Sequence, residues 1–220
     1  MTSFRYCLSA LLLASLSTSF AQIRWGLRAG VSSSTAATEL VPVSTYTPLP
    51  GLQAGVVVDI PLSEILSIQP VLLFASKGFE RSSFFEDNVN PLDQPYGTAA
   101  LRIETVKPYY LKIPVLILVK APLTQEVKLY MGLGPYVGTL IGGTVLYDYK
   151  SVYSKGPLSP SRNSFYARSD AGLTGATGVE LMDRFQLGIA YDYGLMNVTS
   201  DPLRYSLRNR TVSLSLSVFL

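Results

Sequence analysis

From Asn209 to Leu220 the chain reads NRTVSLSLSVFL, with Val212, Leu214, Leu216, Val218 and Leu220 at one parity and Thr211, Ser213, Ser215 and Ser217 at the other. Successive side chains of a strand point to opposite faces, so this alternation predicts a strand with two unlike surroundings. The same period recurs along the chain and gives eight strands, at roughly 22–31, 51–60, 66–79, 101–120, 126–141, 168–181, 184–197 and 208–220. There is no helical stripe, and the longest uninterrupted apolar run, Ile113 to Val119, falls far short of the ~20 residues of a membrane helix.

The connections divide into two kinds. Residues 32–50, 80–100, 142–167 and 198–207 form long, polar or turn-rich links, and they alternate with short ones at 61–65, 121–125 and 182–183. Such alternation fits an all-β, eight-stranded antiparallel up-and-down transmembrane β-barrel, with short periplasmic turns, longer loops outside the cell, and both termini in the periplasm.

Glycine and charge share a face. In the fifth strand Lys128, Tyr130, Gly132, Gly134, Tyr136 and Gly138 oppose Val127, Leu129, Met131, Leu133, Pro135 and Val137. In the seventh, Gln186, Gly188, Ala190, Asp192 and Gly194 oppose Phe185, Leu187, Ile189, Tyr191 and Tyr193; in the first, Arg24, Gly26, Arg28 and Gly30 oppose Trp25, Leu27 and Ala29. A soluble lipocalin-like periplasmic carrier would turn its charged face to water, where glycine only weakens a strand, and keep an apolar ligand inside. A narrow membrane barrel inverts this, placing small and polar residues within and bulky apolar ones against lipid. The third and fourth strands are apolar on both faces and leave the soluble alternatives, carrier or sandwich, open. Two aromatic girdles are expected, Trp25, Phe185 and Phe219 at the periplasmic side and Phe74, Phe79, Tyr147, Tyr149, Tyr191, Tyr193 and Tyr205 at the outer one.

The first residues fix the compartment. Arg5, the apolar run from Cys7 to Ala14 and the small residues ending at Ala21 predict a signal peptide over 1–21, cleaved before Gln22. What remains, 22–220, reads as one outer-membrane barrel domain of a Gram-negative bacterium. The only cysteine leaves with the leader, histidine is absent, and the formal charge of +3 falls by one. No disulfide framework, no field for nucleic acid, and no Ser-His-Asp, Cys-His or zinc chemistry follows. No phosphate-binding loop is found, and neither catalytic residues nor a cofactor are expected.

Arg24, Arg28, Asp59, Glu104, Lys112, Lys128, Asp170, Glu180 and Asp192 all fall on proposed inward faces. They suit a paired network that fills a narrow lumen, or an ion pathway; the interior of eight strands is just wide enough for side chains. Arg204, Arg208 and Arg210 at the outer end of the last hairpin suit lipopolysaccharide phosphates or a solvated loop. Loop aromatics Tyr46, Phe84, Phe85, Tyr96, Tyr153, Phe165 and Tyr166 lie where external recognition by an unknown protein or envelope ligand would sit.

A series of short motifs runs from about Ile23 to the end, through Gly26-Leu27-Arg28-Ala29-Gly30, Leu66-Ser67-Ile68-Gln69-Pro70 with Lys77-Gly78, and Tyr110-Leu111-Lys112-Ile113-Pro114. It continues through Gly132-Leu133-Gly134-Pro135-Tyr136, Asp170-Ala171-Gly172-Leu173, Tyr191-Asp192-Tyr193-Gly194-Leu195 and Asn209-Arg210-Thr211. In these motifs, their order and spacing the chain resembles the PorT-like outer-membrane beta-barrel proteins typical of Bacteroidetes. Lys112 and Val71 stand where relatives carry acidic residues, and the chain ends on Leu220 rather than an aromatic. The resemblance implies insertion by the barrel-assembly machinery and a structural, binding or envelope-assembly role; one branch of the family is linked to protein secretion.

Overall fold

The computed structural model describes residues 23–38, 44–86, 99–149, 152–158, 167–198 and 206–220. The elements are β1 (Arg24–Thr38), β2 (Ser44–Pro61), β3 (Leu66–Ser76), β4 (Phe79–Glu86), β5 (Ala99–Pro122), β6 (Val127–Tyr149), β7 (Val152–Pro157), β8 (Ser169–Leu181), β9 (Phe185–Gly194) and β10 (Leu207–Phe219), with no helix among the described residues. Every neighbouring pair is antiparallel, and β10 returns to β1, from Gly26 opposite Phe219 to Thr38 opposite Leu207. β3 and β4 lie end to end between β2 and β5, one stave interrupted at Lys77 and Gly78. β8 and β7 line β6 in the same way. Eight staves therefore close into a ring, and the first and last strands satisfy each other's backbone, as a wall in lipid requires.

The short turns share a chemistry. Pro61-Leu62-Ser63 and Pro122-Leu123-Thr124 begin the β2–β3 and β5–β6 turns, and each hydroxyl accepts a backbone N–H that the turn leaves over: Leu66 N to Ser63 Oγ at 3.1 Å, Val127 N to Thr124 Oγ1 at 3.0 Å. The β8–β9 turn instead has three residues, Met182 to Arg184; Met182 and Asp183 are both at φ 54° and Arg184 N donates to Leu181 O at 3.0 Å, so a left-handed pair sits at the centre of a tight turn whose twist matches the strands. Asp tolerates this region and Met does not, since a left-handed β-carbon costs roughly 1–2 kcal/mol. Met182→Asn is expected to raise stability by up to about 1 kcal/mol, read as a later midpoint in urea unfolding from detergent micelles.

Alternation of burial follows the alternation of sequence. Val212, Leu214 and Leu216 are about half exposed while Thr211, Ser213 and Ser217 are buried, and Trp25, Leu27, Met131, Leu133 and Ile189 extend the same outward belt around the ring. A soluble carrier would have the reverse arrangement.

Three expectations are corrected. The described parts of the connections 32–50, 80–100 and 142–167 are mostly strand: β5 and β6 run for 24 and 23 residues, about twice the ~9–11 that cross a membrane. Beyond the apolar band neither face meets lipid, so the ladder continues without alternation, as in Ser32-Ser33-Ser34. The girdles lose Phe219 and Phe79, which are 2% and 3% exposed and point inward; Gly26 opposite Phe219 leaves it room, and the Arg24 guanidinium lies 4.7 Å over its ring. Tyr147 also packs on the inner cluster, whereas Trp25, Phe185, Phe74, Tyr191 and Tyr193 face outward. Tyr205 and the side chain of Tyr149 lie outside the described residues.

Finally, the interior is not only small and polar. Val57, Val71, Leu73 and Phe219 form one apolar cluster, Leu116, Leu118 and Tyr130 another, so the doubly apolar third and fourth strands fill the lumen of a membrane ring rather than a soluble sandwich. Their bulk is matched by glycine across the wall. Gly178 faces Gly188, and a β-carbon at Gly188 would stand 1.7 Å from the Tyr130 hydroxyl.

Candidate functional site

Two rings of charge cross the interior. Nearest the short turns, Arg24 of β1, Asp59 of β2, Lys120 of β5 and Glu180 of β8 alternate in sign. Arg24 contacts Asp59 and lies 2.8 Å from Glu180, and Lys120 bridges the same two carboxylates at 2.8 and 2.9 Å. Both carboxylates are fully buried. Gln186 donates to Glu180 at 2.9 Å, and Gln69 donates to Gln186 at 3.1 Å. Arg28 donates to Gln69 at 2.7 Å and to Ser217 at 2.7 Å. A hydroxyl of the last strand thus meets Arg28 of the first across the seam that closes the ring.

Farther from the turns, Lys77 at the break in the third stave meets Asp170 at 3.0 Å and Asp192 at 3.9 Å, while Lys112 meets Asp192 at 2.7 Å. Tyr136 and Asn209 donate to Asp170 at 3.2 and 2.9 Å, and Thr174 to Asp192 at 2.8 Å. The Lys77 ammonium lies 4.9 Å from the Tyr136 ring centre. Low dielectric makes such pairs tolerable only when the remaining donors and acceptors are filled, and Tyr136, Asn209 and Thr174 fill sites on Asp170 and Asp192. Above this ring Phe79, Val106, Leu140, Val145 and Leu158 close the interior with apolar side chains.

Seven of the nine expected lumen residues take part: Arg24, Arg28, Asp59, Lys112, Asp170, Glu180 and Asp192. Glu104 does not; it sits beyond the upper ring, in register with Arg81 of β4 and Tyr147 of β6. Lys128 lies at the rim and pairs with Asp183 of the β8–β9 turn. Parity cannot separate these two from the rest, because it gives the face of a strand and not the height along it. Lys77, Gln69, Gln186 and Asn209 were not singled out as network members, nor was Lys120, although it shares the parity of Lys112. For Lys77 the signal was Leu73, Ala75, Lys77 at one parity, hidden by apolar residues on both faces.

The hydrogen bond from Lys128 holds the Asp183 carboxyl below the ordinary range, with Arg24 adding to it. A carboxyl lower in the folded than the unfolded state stabilises above its unfolded value of about 4 and loses that contribution as pH falls through the folded one. Asp183 is half exposed, so screening keeps the effect small. Asp183→Asn is expected to leave stability nearly unchanged at acid pH and lower it slightly at neutral pH, as measured by the heat-induced shift in gel migration across pH.

Arg208 and Arg210 of β10 alternate with buried Leu207 and Asn209 and so face outward. Arg210 stacks 3.7 Å from the Tyr193 ring centre and donates to the Gly194 and Asn209 carbonyls. Arg204 lies outside the described residues. Of the loop aromatics, Tyr46 is in β2 and packs on Phe79 at 5.6 Å; Phe84 and Phe85 fall in β4 and Tyr153 in β7, with undescribed side chains, and Tyr96, Phe165 and Tyr166 lie outside the described residues.

Two cavities lie at the short-turn end and on the outer face. One of about 610 Å³ opens at the short-turn end between Arg24, Lys120, Glu180, Pro61 and Leu62. The other, about 740 Å³, is an outward groove between Met131, Leu133, Ile189 and Tyr191, floored by Gly175 and Thr177, and belongs to the apolar belt. Among the described residues no three His, Cys, Asp or Glu side chains are placed to hold a metal.

Residues 17–200 match the family described as outer membrane protein beta-barrel domain. Among solved structures, the chain is similar to Ail, the attachment invasion locus protein of Yersinia pestis, at 13% identity over 90% of this chain and 98% of that one, TM-score 0.42. It is similar to OprG from Pseudomonas aeruginosa at 13% identity over 90% and 94%, TM-score 0.46. A third is Neisserial surface protein A, at 12% identity over 88% and 96%, TM-score 0.42. No curated protein matches.

Proposed function

We propose, for a chain that belongs to the outer membrane protein beta-barrel family, a non-catalytic structural, binding or envelope-assembly role exercised from the outer side of a sealed barrel. The observation that carries this reading is the closure of the lumen by two neutral rings of buried ion pairs under an apolar cap. Paired side chains across the middle of the interior favour a closed barrel over a solute channel, whereas the long β5–β6 hairpin carries strand well beyond the apolar band.

In this reading residues 1–21 are a cleaved signal peptide, and the barrel-assembly machinery inserts the rest. The short turns and both termini face the periplasm; the long-connection end faces outward. There Arg208 and Arg210, with Arg204, contact lipopolysaccharide phosphates, and the projecting strands receive a protein or envelope partner. A PorT-like part in secretion is one such role.

The expected behaviour is extraction from the outer membrane by detergent only, heat-modifiable migration, and no conductance above background in planar bilayers. Cysteine at exposed Lys155 of β7, crosslinked in intact cells, should capture the outer partner. Recovery as a soluble periplasmic protein, or stable single-channel conductance, would overturn the reading.

A further inference from the structure

We propose that the outward groove between β6, β8 and β9 seats an acyl chain of one lipopolysaccharide molecule whose phosphate is held by Arg210; this rests on the orientation given above, with the short turns in the periplasm. The first ground is Gly175. A β-carbon at Gly172, Gly178 or Gly188 of the same strands would stand 2.1, 2.1 or 1.7 Å from a neighbouring atom, so those glycines serve the packed interior. Gly175 faces the other way, between exposed Leu133 of β6 and exposed Tyr191 of β9. The nearest atom to a β-carbon there is Leu133 Cδ1, at 3.9 Å, and the residue is not at positive φ. Neither packing nor backbone requires glycine at this position. Since glycine weakens a strand, an unforced one marks a surface that another molecule approaches closely. Thr177, one step along the same face between Met131 and Ile189, spends its hydroxyl on the Tyr130 carbonyl at 3.0 Å, which leaves the floor apolar. With strands about 4.8 Å apart, Leu133 and Tyr191 stand two spacings from each other and wall a channel for one hydrocarbon chain.

The second ground is charge at the head of the groove. Tyr193 follows Tyr191 on the same face of β9, about 7 Å farther along the strand, and it is paired with Arg210 of β10. The part-buried Arg210 guanidinium lies 3.7 Å from the Tyr193 ring centre and is fixed by hydrogen bonds from Nη1 to the Gly194 and Asn209 carbonyls. Its Nε and Nη2 donate to no described residue, and no carboxylate lies within ion-pair distance of it among the described residues. That open edge of two parallel N–H groups matches a phosphate bidentately. The third ground is height. Ile189 lies midway along β9 (Phe185–Gly194), so the groove from Ile189 to Tyr191 occupies the half of the apolar belt toward the long connections. In this orientation that half is the outer leaflet, whose lipid is lipopolysaccharide.

The test titrates the whole barrel in mild detergent with purified lipopolysaccharide and with phosphatidylglycerol, and counts retained lipid by native mass spectrometry. One lipopolysaccharide per barrel is expected, with phosphatidylglycerol held several-fold more weakly. Gly175→Val should lower lipopolysaccharide retention several-fold while the thermal unfolding midpoint stays level or rises, since valine favours a strand; a glycine needed for packing would lower the midpoint instead. Arg210→Gln should weaken retention as well, and Arg184→Gln, an exposed base at the short-turn end, should leave it unchanged. Retention indifferent to Gly175→Val, phosphatidylglycerol bound as tightly as lipopolysaccharide, or a barrel dimer that Gly175→Val dissolves, which assigns the groove to a second copy, would each overturn the proposal. Labelling of Lys155→Cys in intact cells reads the orientation separately: a labelled cysteine with no lipid retained sinks the seat alone, whereas an unlabelled one sinks the orientation and the choice of lipid with it.

Discussion

Asp192→Ala is expected to lower the unfolding free energy by about 3–5 kcal/mol, the range for removing one partner of a buried ion pair. The Lys112 ammonium, 2.7 Å from Asp192 and 4% exposed, would be left buried with its nearest counter-ion gone and Tyr136 as its aromatic neighbour at 5.5 Å. Lys77, held by Asp170 at 3.0 Å, would lose only its longer contact. The double variant Asp192→Ala with Lys112→Met should recover most of the loss, because removing both charges also removes the desolvation they impose. Urea titration of the refolded barrel reads both. A double variant as unstable as the single one would mean that the ring is held by the shape of the packing and not by its charges.

Leu216→Arg should cost about 2–4 kcal/mol if the position lies near the bilayer midplane. Leu216 is 47% exposed on the outward face of β10, paired across the wall with Ala29 of β1 and Leu187 of β9, so no neighbouring carboxylate shares its face. Its neighbour Ser215 points inward, and Ser215→Ala, which removes one hydroxyl from the lumen, should cost far less. Insertion into preformed vesicles followed by denaturant titration separates them. Comparable losses at the two positions would contradict the assignment of lipid to the odd-looking apolar face.

The closing strand was legible because its two environments differ as much as two environments can. Lipid on one side and a polar interior on the other write alternation directly into NRTVSLSLSVFL, and β9 and the first half of β6 are written the same way. Legibility failed where that contrast disappears. Beyond the apolar band both faces of β1, β2 and β5 meet water or one another, so residues 32–50 and 80–100 read as loops although their described parts are strand. It failed again at β3 and the lower half of β5, where Leu73, Leu116 and Leu118 are inside for packing and resemble their lipid-facing neighbours in chemistry.

The candidate site divides the same way. Parity put Asp59, Lys112, Asp170, Glu180 and Asp192 inside, and all five are buried; it also put Glu104 and Lys128 inside, and these are at other heights. Phe219 and Phe79 illustrate the converse, aromatic residues near strand ends that a girdle would claim and that the interior holds instead.

By itself, then, the sequence determined the class of the protein, the number of staves, which face of most strands meets lipid, and that its interior is charged. These depend on local alternation, which each strand carries in its own residues. Only the tertiary structure decided which charge meets which: Lys77 and Asp170 are 93 residues apart, and Arg28 and Ser217 are 189 apart. Partnership across a lumen depends on the stagger of eight staves around the ring, a long-range quantity that no single strand encodes, and the same stagger gives Arg28 the neutral partners Ser217, Gln69 and Gln186.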